Sequence, residues 1–269
     1  MLFALPFPAI DPVALDLGFF QIRWYALAYI VGLLLAWRYL LRLSALPPRT
    51  MGRNDADDLL VWMAFGVILG GRLGYVLFYK PAFYLANPLE ILHVWQGGMA
   101  FHGGLLGVTI AGIWFCRQRK LNAWQVGDLV ACTAPIGLLL GRLANFVNGE
   151  LYGRVTESGL GMVFPGGGPL PRHPSQLYEA GLEGVVLLCV MGLLVRRESI
   201  RSKPGQLIGI FLIGYGLARI AAEFFREPDA HLGFILGPVT MGQVLSVPMV
   251  LLGIGIVAYA RARPSVSGA

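Results

Sequence analysis

The sequence predicts an all-α integral membrane protein with seven transmembrane helices. Of its 269 residues, 56% are apolar and 13% are charged, whereas an average soluble domain has about 25% charged residues. Mean hydropathy is +0.66. This chain has too few charged residues to cover the surface of a soluble protein of its size. We therefore exclude the soluble globular, disordered and nucleic-acid-binding classes. Seven segments are also long and apolar enough to cross a bilayer, which takes about 20 residues.

The predicted helices follow one another along a single polytopic membrane domain, residues 1–269. They cover about 19–41, 59–79, 99–116, 125–146, 176–195, 206–226 and 238–260. Two connections between them are long. The 80–98 connection is apolar and aromatic, which is typical of an interfacial or re-entrant segment. The 147–175 connection is rich in Gly and Pro, so we interpret it as a loop over the outer surface.

The distribution of Lys and Arg predicts the orientation of these helices. Connections after the first, third, fifth and seventh helices carry 12 basic residues, and the opposite connections carry 3, namely Lys80, Arg154 and Arg172. Cytoplasmic loops of membrane proteins are enriched in Lys and Arg. We therefore expect a periplasmic N-terminus and a cytoplasmic C-terminus.

Several arginines fall inside predicted helices, where a charge at the centre costs about 2.5–3.5 kcal/mol. With the predicted orientation, polar side chains of several helices reach one depth near the outer leaflet. These are Arg23, Tyr25, His102, Arg142, Asn145, Asn148, Glu150, His173, Gln176, Tyr178, Glu179, Tyr215, Arg219, Glu223 and Arg226. The last four share one helical face, because they are three or four positions apart.

Two interpretations of these charges are open. Arginine and glutamate can pair only to neutralise each other within the packed helices. An excess of arginine over carboxylates indicates instead an anionic ligand, and the planar guanidinium group suits the phosphate of a lipid headgroup. The common depth of the polar residues favours the second interpretation.

His102 stands in the glycine-rich segment GGMAFHGGLLG. Glycines allow close backbone approach, which suits a group that faces a cavity. No spacing of His, Cys or carboxylates indicates a metal site, and no hydrolase motif is present, so we expect no metal and no cofactor. The three cysteines lie far apart in apolar stretches, and we expect neither a disulfide nor a nucleophile among them.

The segment GRLANFVNGELYG (141–153) resembles the signature of the bacterial prolipoprotein diacylglyceryl transferase family. The resemblance extends over nearly the whole chain through IRWYALAYIVG (22–32), GGMAFHGGLLG (97–107), HPSQLYEA (173–180) and YGLARIAAEFFREPD (215–229). Ala144 stands where the family usually has Gly and accepts Ala. Ile220 stands where it more often has Phe, a packing change that affects no proposed role.

The resemblance implies an enzyme of the bacterial inner membrane with its active site toward the periplasm. Such an enzyme transfers the diacylglyceryl group of phosphatidylglycerol to the lipobox cysteine of a prolipoprotein, the first step of lipoprotein maturation. It forms a thioether and releases glycerol 1-phosphate, without a cofactor. Its partners are phosphatidylglycerol and prolipoprotein signal peptides. The implied catalytic residues are His102, Arg142, Arg219, Tyr25, Asn145 and Glu150. The implied phosphatidylglycerol-binding residues are Arg142, Arg219, Asn145, Gly153, Tyr215, Glu223 and Arg226.

The residue chemistry agrees with this function. A thiol with a pKa near 8.5 must lose its proton, and an imidazole with a pKa near 6.5 is a suitable base. His102 is therefore the candidate base, with headgroup binding as its alternative role. Arg142 and Arg219 are expected to stabilise the departing phosphate, and Glu150 and Glu223 to orient these arginines. A lipid or anion transporter is the rival function, since it also needs intramembrane arginines and broken helices, but it needs access from both sides of the membrane. A membrane scaffold is the third possibility.

Overall fold

The computed structural model describes residues 5–8, 10–18, 21–228 and 233–266. Most of these residues are helical, and we number the elements in chain order. Two short antiparallel hairpins consist of β1 (Val13–Asp16) with β2 (Gln21–Arg23), and of β3 (Phe234–Leu236) with β4 (Val239–Thr240). The long helices are α1 (Trp24–Ser44), α2 (Arg53–Phe78), α4 (Phe101–Arg119), α5 (Ala123–Val147), α6 (Ser175–Leu194), α8 (Gln206–Glu223) and α9 (Met241–Ala262). The short helices are α3 (Pro81–Ala86) and α7 (Glu198–Arg201).

Within the described part of the chain, six helices are long and apolar enough to cross a membrane: α1, α2, α5, α6, α8 and α9. The multi-pass membrane class is therefore confirmed. A helix also occupies the third predicted segment, since α4 has 19 residues. Its glycines, His102 near its start, and Arg117 and Arg119 at its end lower its hydropathy, and it is not among the six. The count of seven spans stays a prediction.

Two helices begin at positions other than those predicted, because local hydrogen bonds set their starts. The hairpin β1–β2 precedes α1, so the helix begins at Trp24 instead of near residue 19. Hydrogen bonds from the Gly18 amide and the Gln21 side chain to Asp16 lower the pKa of this exposed carboxyl. Helix α2 begins at Arg53, where Asp55 accepts a 3.2 Å hydrogen bond from the Gly52 amide. An acidic residue in a first turn also interacts favourably with the helix dipole.

The chain forms two compact units, residues 1–40 with 128–269 and residues 41–127. In the second unit, α2 and α4 pack through glycines spaced four residues apart: Gly66, Gly70 and Gly74 on α2, and Gly103 and Gly107 on α4. A Cβ atom on Gly70 would lie 2.7 Å from the Cα atom of Gly107. The two backbones therefore touch directly, as small residues allow in membrane helices.

In the first unit, α8 packs against α9 and against α6. Gly209 and Gly253 face each other, since a Cβ atom on either would lie 2.7 Å from the carbonyl oxygen of the other. The buried Asp128 of α5 accepts 2.7 Å hydrogen bonds from the amides of Gly205 and Ile208 at the start of α8. These amides have no partner within the helix, so Asp128 acts as an N-cap supplied by another helix.

Candidate active site

The first unit contains a set of ion pairs buried among membrane-spanning helices. Helix α6 supplies Glu179 and Glu183, whose side chains have no exposed surface. Residues 180–186 of this helix are π-helical, a feature that often occurs at functional sites. Helices α5 and α8 and the turn after α8 supply Arg142, Arg219, Glu223 and Arg226. We call these six residues the arginine–glutamate cluster.

Glu179 lies at the centre of the arginine–glutamate cluster, because its carboxylate contacts three arginines. Its Oε1 atom is 2.7 Å from Arg219 Nη1 and 3.2 Å from Arg226 Nη1. Its Oε2 atom is 3.1 Å from Arg142 Nη1. A carboxylate that contacts three guanidinium groups holds them close together despite their mutual repulsion.

Glu183 contacts two of the same arginines at longer distances. Its Oε2 atom accepts from Arg142 Nε at 3.3 Å and from Arg142 Nη2 at 3.2 Å. Its Oε1 atom lies 3.6 Å from Arg219 Nη1 and has no hydrogen-bond partner among the described residues. One oxygen of this buried carboxylate is thus less well satisfied than the other.

Glu223 joins the cluster to the start of α9. Its Oε1 atom is 2.5 Å from Arg219 Nη2, and its Oε2 atom accepts a 2.7 Å hydrogen bond from the hydroxyl of Thr240, the N-cap of α9. Gly242 makes room for this carboxylate, since a Cβ atom there would lie 2.6 Å from Cδ of Glu223. A carboxylate at a helix N-terminus is stabilised by the helix dipole. The 2.5 Å ion pair between Glu223 and Arg219 confirms the contact expected from the sequence.

The positive and negative formal charges of the arginine–glutamate cluster are equal in number. Three guanidinium groups face three carboxylates, so the expectation of an arginine excess is wrong for this set. The sequence places Glu179 and Glu223 at the depth of the arginines, and the structure adds Glu183 of α6. An anionic ligand of these arginines therefore competes with carboxylates that the chain itself provides.

Asn145 and Glu150 lie together at the end of α5. Asn145 Nδ2 donates to Glu150 Oε1 at 2.9 Å, and Asn148 Nδ2 donates to the same oxygen at 3.2 Å. Gln176 Nε2 donates to the backbone carbonyl of Glu150 at 2.6 Å. The contacts of Glu150 are thus with amide groups. The expectation that Glu150 orients an arginine is not supported by any recorded contact within the described residues.

Gly153 lies where three backbone segments meet. Its amide donates to the carbonyl of His173 at 2.8 Å, and it forms an isolated β-bridge with Arg226. A Cβ atom at Gly153 would lie 2.7 Å from both Cβ and the carbonyl oxygen of His173. Glycine is therefore required there for close packing. His173 packs edge-on against Phe225, and burial lowers the pKa of its imidazole.

The two predicted tyrosines of the first unit have different surroundings. Tyr25, in the first turn of α1, lies with its hydroxyl 3.3 Å from the hydroxyl of Tyr29. Tyr215 lies one turn before Arg219 on α8. Its ring stacks on that of Phe211, with 6.0 Å between ring centroids. Tyr215, Arg219 and Glu223 lie four residues apart along the same helix, as predicted.

His102 belongs to the second unit, in the first turn of α4. Its side chain is exposed, and its ring packs edge-on against Phe101 with 5.5 Å between centroids. Its assignment as base or headgroup ligand stays a prediction. The described residues contain no group of three His, Cys, Asp or Glu side chains suited to a metal ion.

Arg72, also in the second unit, is a buried arginine with a structural explanation. Its guanidinium group donates to five backbone carbonyls of the segment that follows α3: Glu90, Ile91, His93, Gly97 and Gly98. It also lies over the ring of Tyr84, 5.2 Å from the centroid. Arg72 therefore satisfies carbonyls of the segment between α3 and α4, which consists of two 3-10 helices, Pro88–Leu92 and Val94–Gln96, and the glycines that follow them.

Glu179 is expected at the depth of the arginines but not among the catalytic or binding residues, and Glu183 is not expected there at all, although a signal for both was present. They lie four residues apart inside a predicted transmembrane helix, and like charges at this spacing destabilise an isolated helix. Ionisable residues within a membrane span mark functional sites by default. Two acidic residues within one predicted span therefore mark both positions as candidate site residues.

The fold and the buried ion pairs define a class: a multi-pass membrane protein whose spanning helices enclose a charged site. A family model described as prolipoprotein diacylglyceryl transferase matches residues 12–259. The chain belongs to this family, and the resemblance stated from its motifs is confirmed.

Curated relatives cover the chain almost end to end. A protein of Rhodospirillum rubrum is 64% identical over 269 aligned residues, covering 98% of this chain and 97% of the relative. One of Paramagnetospirillum magneticum is 63% identical over 264 residues, covering 98% of each. One of Azospirillum brasilense is 58% identical over 265 residues, covering 97% of this chain and 98% of the relative. All three are named phosphatidylglycerol–prolipoprotein diacylglyceryl transferase.

Proposed function

We propose that this chain transfers the diacylglyceryl group of phosphatidylglycerol to the thiol of a prolipoprotein lipobox cysteine. The cysteine sulfur forms a bond to the glycerol carbon that carries the phosphate, and the carbon–oxygen bond to that phosphate breaks. The thiol loses its proton, and glycerol 1-phosphate leaves with the bonding electron pair. The arginine–glutamate cluster, buried in spanning helices of a chain of this family, is the observation that supports the proposal.

Arg142 and Arg219 are proposed to bind the phosphate of the phospholipid and to stabilise the charge that develops as it departs. Guanidinium groups donate paired hydrogen bonds to phosphate oxygens, and a site that excludes water strengthens them. The carboxylate of Glu179 contacts both arginines and so holds them close together. Asn145 and Tyr25 are proposed to add hydrogen bonds from α5 and α1.

His102 is proposed to accept the proton of the substrate thiol. A neutral imidazole is a suitable acceptor near neutral pH, because its pKa lies close to that range. Its alternative role is binding of the phospholipid headgroup. In either role the nucleophile belongs to the substrate, so Cys116, Cys132 and Cys189 of this chain have no part in the chemistry.

We further propose the membrane arrangement in which the reaction takes place. Helix α4 also crosses the membrane, which brings the number of spans to seven. The N-terminus is periplasmic and the C-terminus is cytoplasmic, as the bias of basic residues predicts. The enzyme then lies in the bacterial inner membrane with its site toward the periplasm, where prolipoprotein signal peptides present their lipobox cysteine.

The test is incubation of the purified protein with phosphatidylglycerol and a lipobox peptide, followed by mass spectrometry. We expect the peptide to gain one diacylglyceryl group and glycerol 1-phosphate to appear in equal amount. A peptide with Ser in place of the lipobox Cys is the matched control and should remain unmodified. An unmodified Cys peptide in the presence of folded protein would refute the proposal.

A further inference from the structure

We infer that Glu183 is a positioning residue that competes with the phospholipid phosphate for Arg142, so that its carboxylate weakens phospholipid binding. This inference rests on the proposed function. Glu183 acts through Arg142 and is not proposed to touch the reacting atoms. Removing its charge is therefore expected to tighten binding, whereas removing an ordinary structural carboxylate would loosen it.

The first argument is the geometry at Arg142. The Nε and Nη2 atoms of a guanidinium group lie on one edge, and this edge donates two parallel hydrogen bonds to a carboxylate or phosphate. In the structure, Glu183 Oε2 accepts from both atoms of that edge, at 3.3 and 3.2 Å. The Nη1 atom of Arg142 faces Glu179 instead, at 3.1 Å. A phosphate that binds this edge of Arg142 must take the place of the Glu183 carboxylate.

The second argument is that Glu183 is the most weakly held of the three carboxylates. Glu179 has a contact of 2.7 Å and reaches three arginines. Glu223 has contacts of 2.5 Å to Arg219 and 2.7 Å to the Thr240 hydroxyl. The shortest ion-pair contact of Glu183 is 3.2 Å, which is longer than the shortest contact of either other carboxylate. Displacement of Glu183 therefore breaks no contact shorter than 3.2 Å.

The third argument is charge balance. Three carboxylates already neutralise three guanidinium groups, so a phosphodiester adds an uncompensated negative charge to a buried site. Such a charge is costly where water is excluded. A Glu183→Gln substitution removes one negative charge and keeps the size and an acceptor oxygen of the side chain. The phosphate then supplies the third negative charge of the cluster.

The experiment measures transfer by the full-length protein in detergent micelles of fixed composition. The lipobox peptide is saturating, and the mole fraction of phosphatidylglycerol is varied. For Glu183→Gln we expect the KM for phosphatidylglycerol to fall about tenfold, a factor that corresponds to about 1.4 kcal/mol. Inhibition by added glycerol 1-phosphate should strengthen in parallel. Glu157→Gln changes the same charge at an exposed position and should leave KM and kcat unchanged.

A second variant guards against failure of the first to fold. Glu183→Asp keeps the charge but withdraws the carboxylate from Arg142 by one methylene group, so KM should fall by less than in the Gln variant. A KM that is unchanged or raised in the folded variants would overturn the inference while wild-type transfer preserves the proposed function. Absence of transfer in the wild type would instead refute the proposed function. Loss of folded protein in both variants would assign Glu183 to structural ion pairing and also overturn the inference.

Discussion

Arg72 and Arg142 show two ways to stabilise a guanidinium group within a membrane-spanning helix. Arg72 is surrounded by backbone carbonyls, which neutralise no charge but satisfy its donors. Arg142 is paired with two buried carboxylates. Carbonyl acceptors leave Arg72 committed to the segment it holds. The proposed phosphate binding by Arg142 requires exchange of one anion for another, and ion pairs are compatible with such an exchange.

The first prediction concerns Arg142 and Arg219. Conversion of either to Gln should abolish transfer while the protein still inserts, because the phosphate loses its charged donors. Conversion to Lys should also impair transfer, because an ammonium group lacks the paired donors of the guanidinium. The measurement is diacylglyceryl transfer to a lipobox peptide, normalised to the amount of folded protein.

The matched control is Arg197→Gln, which removes the same charge at an exposed position after α6 and should retain activity. Near-normal transfer in both Gln variants at positions 142 and 219 would remove phosphate stabilisation by these arginines from the mechanism.

The second prediction concerns His102. If it is the base, His102→Gln should lower the rate of transfer by about 10²–10⁴-fold while phospholipid binding persists. Raising the pH toward the pKa of the substrate thiol, about 8.5, should partly restore the rate, because more thiolate is then present. A pH–rate profile of the variant and the wild type measures both effects.

Two results would exclude this role for His102. An unchanged rate at neutral pH would show that another group accepts the proton. Loss of phospholipid binding in the variant would assign His102 to the headgroup site.

The sequence identified the charged residues of the site better than it identified their partners. LGGRLGY (69–75) and LLGRLAN (139–145) are similar segments, yet Arg72 contacts carbonyls and Arg142 contacts carboxylates. The difference depends on which segments pack beside each arginine, and a local sequence contains no information about that. The motif at 215–229 also ends at Asp229, which lies outside the described residues.

Helices were easier to predict, because the length and hydropathy of a membrane span are local properties. The predicted segments match α1, α2, α4, α5, α6, α8 and α9 to within several residues. The π-helical residues 180–186 were not predicted, because a mostly apolar span lacks a polar–apolar periodicity that an extra residue per turn would shift. That segment contains Glu183, so the feature missed at this scale lies within the candidate site.

The third prediction concerns the glycines through which α2 and α4 pack. Gly107→Val should destabilise the protein by about 1–3 kcal/mol, the range for overpacked cores, because its Cβ atom would lie 2.8 Å from the Cα atom of Gly70. Gly112→Val is the matched control on the same helix, since a Cβ atom there meets no atom within 4 Å. Thermal unfolding in detergent compares the two variants, and equal midpoints would contradict close packing of α2 against α4.

At the scale of the whole molecule, the orientation prediction rests on 12 basic residues against 3. Two of the three exceptions have local structural roles. Arg154 donates to the carbonyls of Glu223 and Arg226 at the end of α8, and Arg172 donates to the carbonyls of Gly153 and Gly167. The ratio of 12 to 3 already counts both of these arginines on the periplasmic side.

The fourth prediction follows from that bias. A reporter enzyme that functions only in the cytoplasm should be active when fused after residue 269, and one that functions only in the periplasm should be inactive there. The reverse pattern would contradict the orientation and place the candidate site toward the cytoplasm. Fusions between α4 and α5 provide the matched position, because that connection is also predicted to be cytoplasmic.

Composition and motifs were sufficient to predict the membrane class and the family, because apolar segments and family motifs extend over nearly the entire chain. The single domain 1–269 and the seven spans stay predictions. The neutral ion cluster was beyond prediction, because it depends on how α5, α6 and α8 pack together.

The ion pairs also affect how the helices enter the membrane during synthesis. Arg142 and Glu183 are 41 residues apart in the chain, so at about 5–20 residues per second the arginine is made roughly 2–8 s before that partner. During this interval a lone guanidinium group in lipid costs about 2.5–3.5 kcal/mol. Helix α5 is therefore best accommodated in the translocon, or with Arg142 at the membrane surface, until α6 has been synthesised. A cluster that is neutral in the finished enzyme thus makes the release of neighbouring helices into lipid a coordinated step.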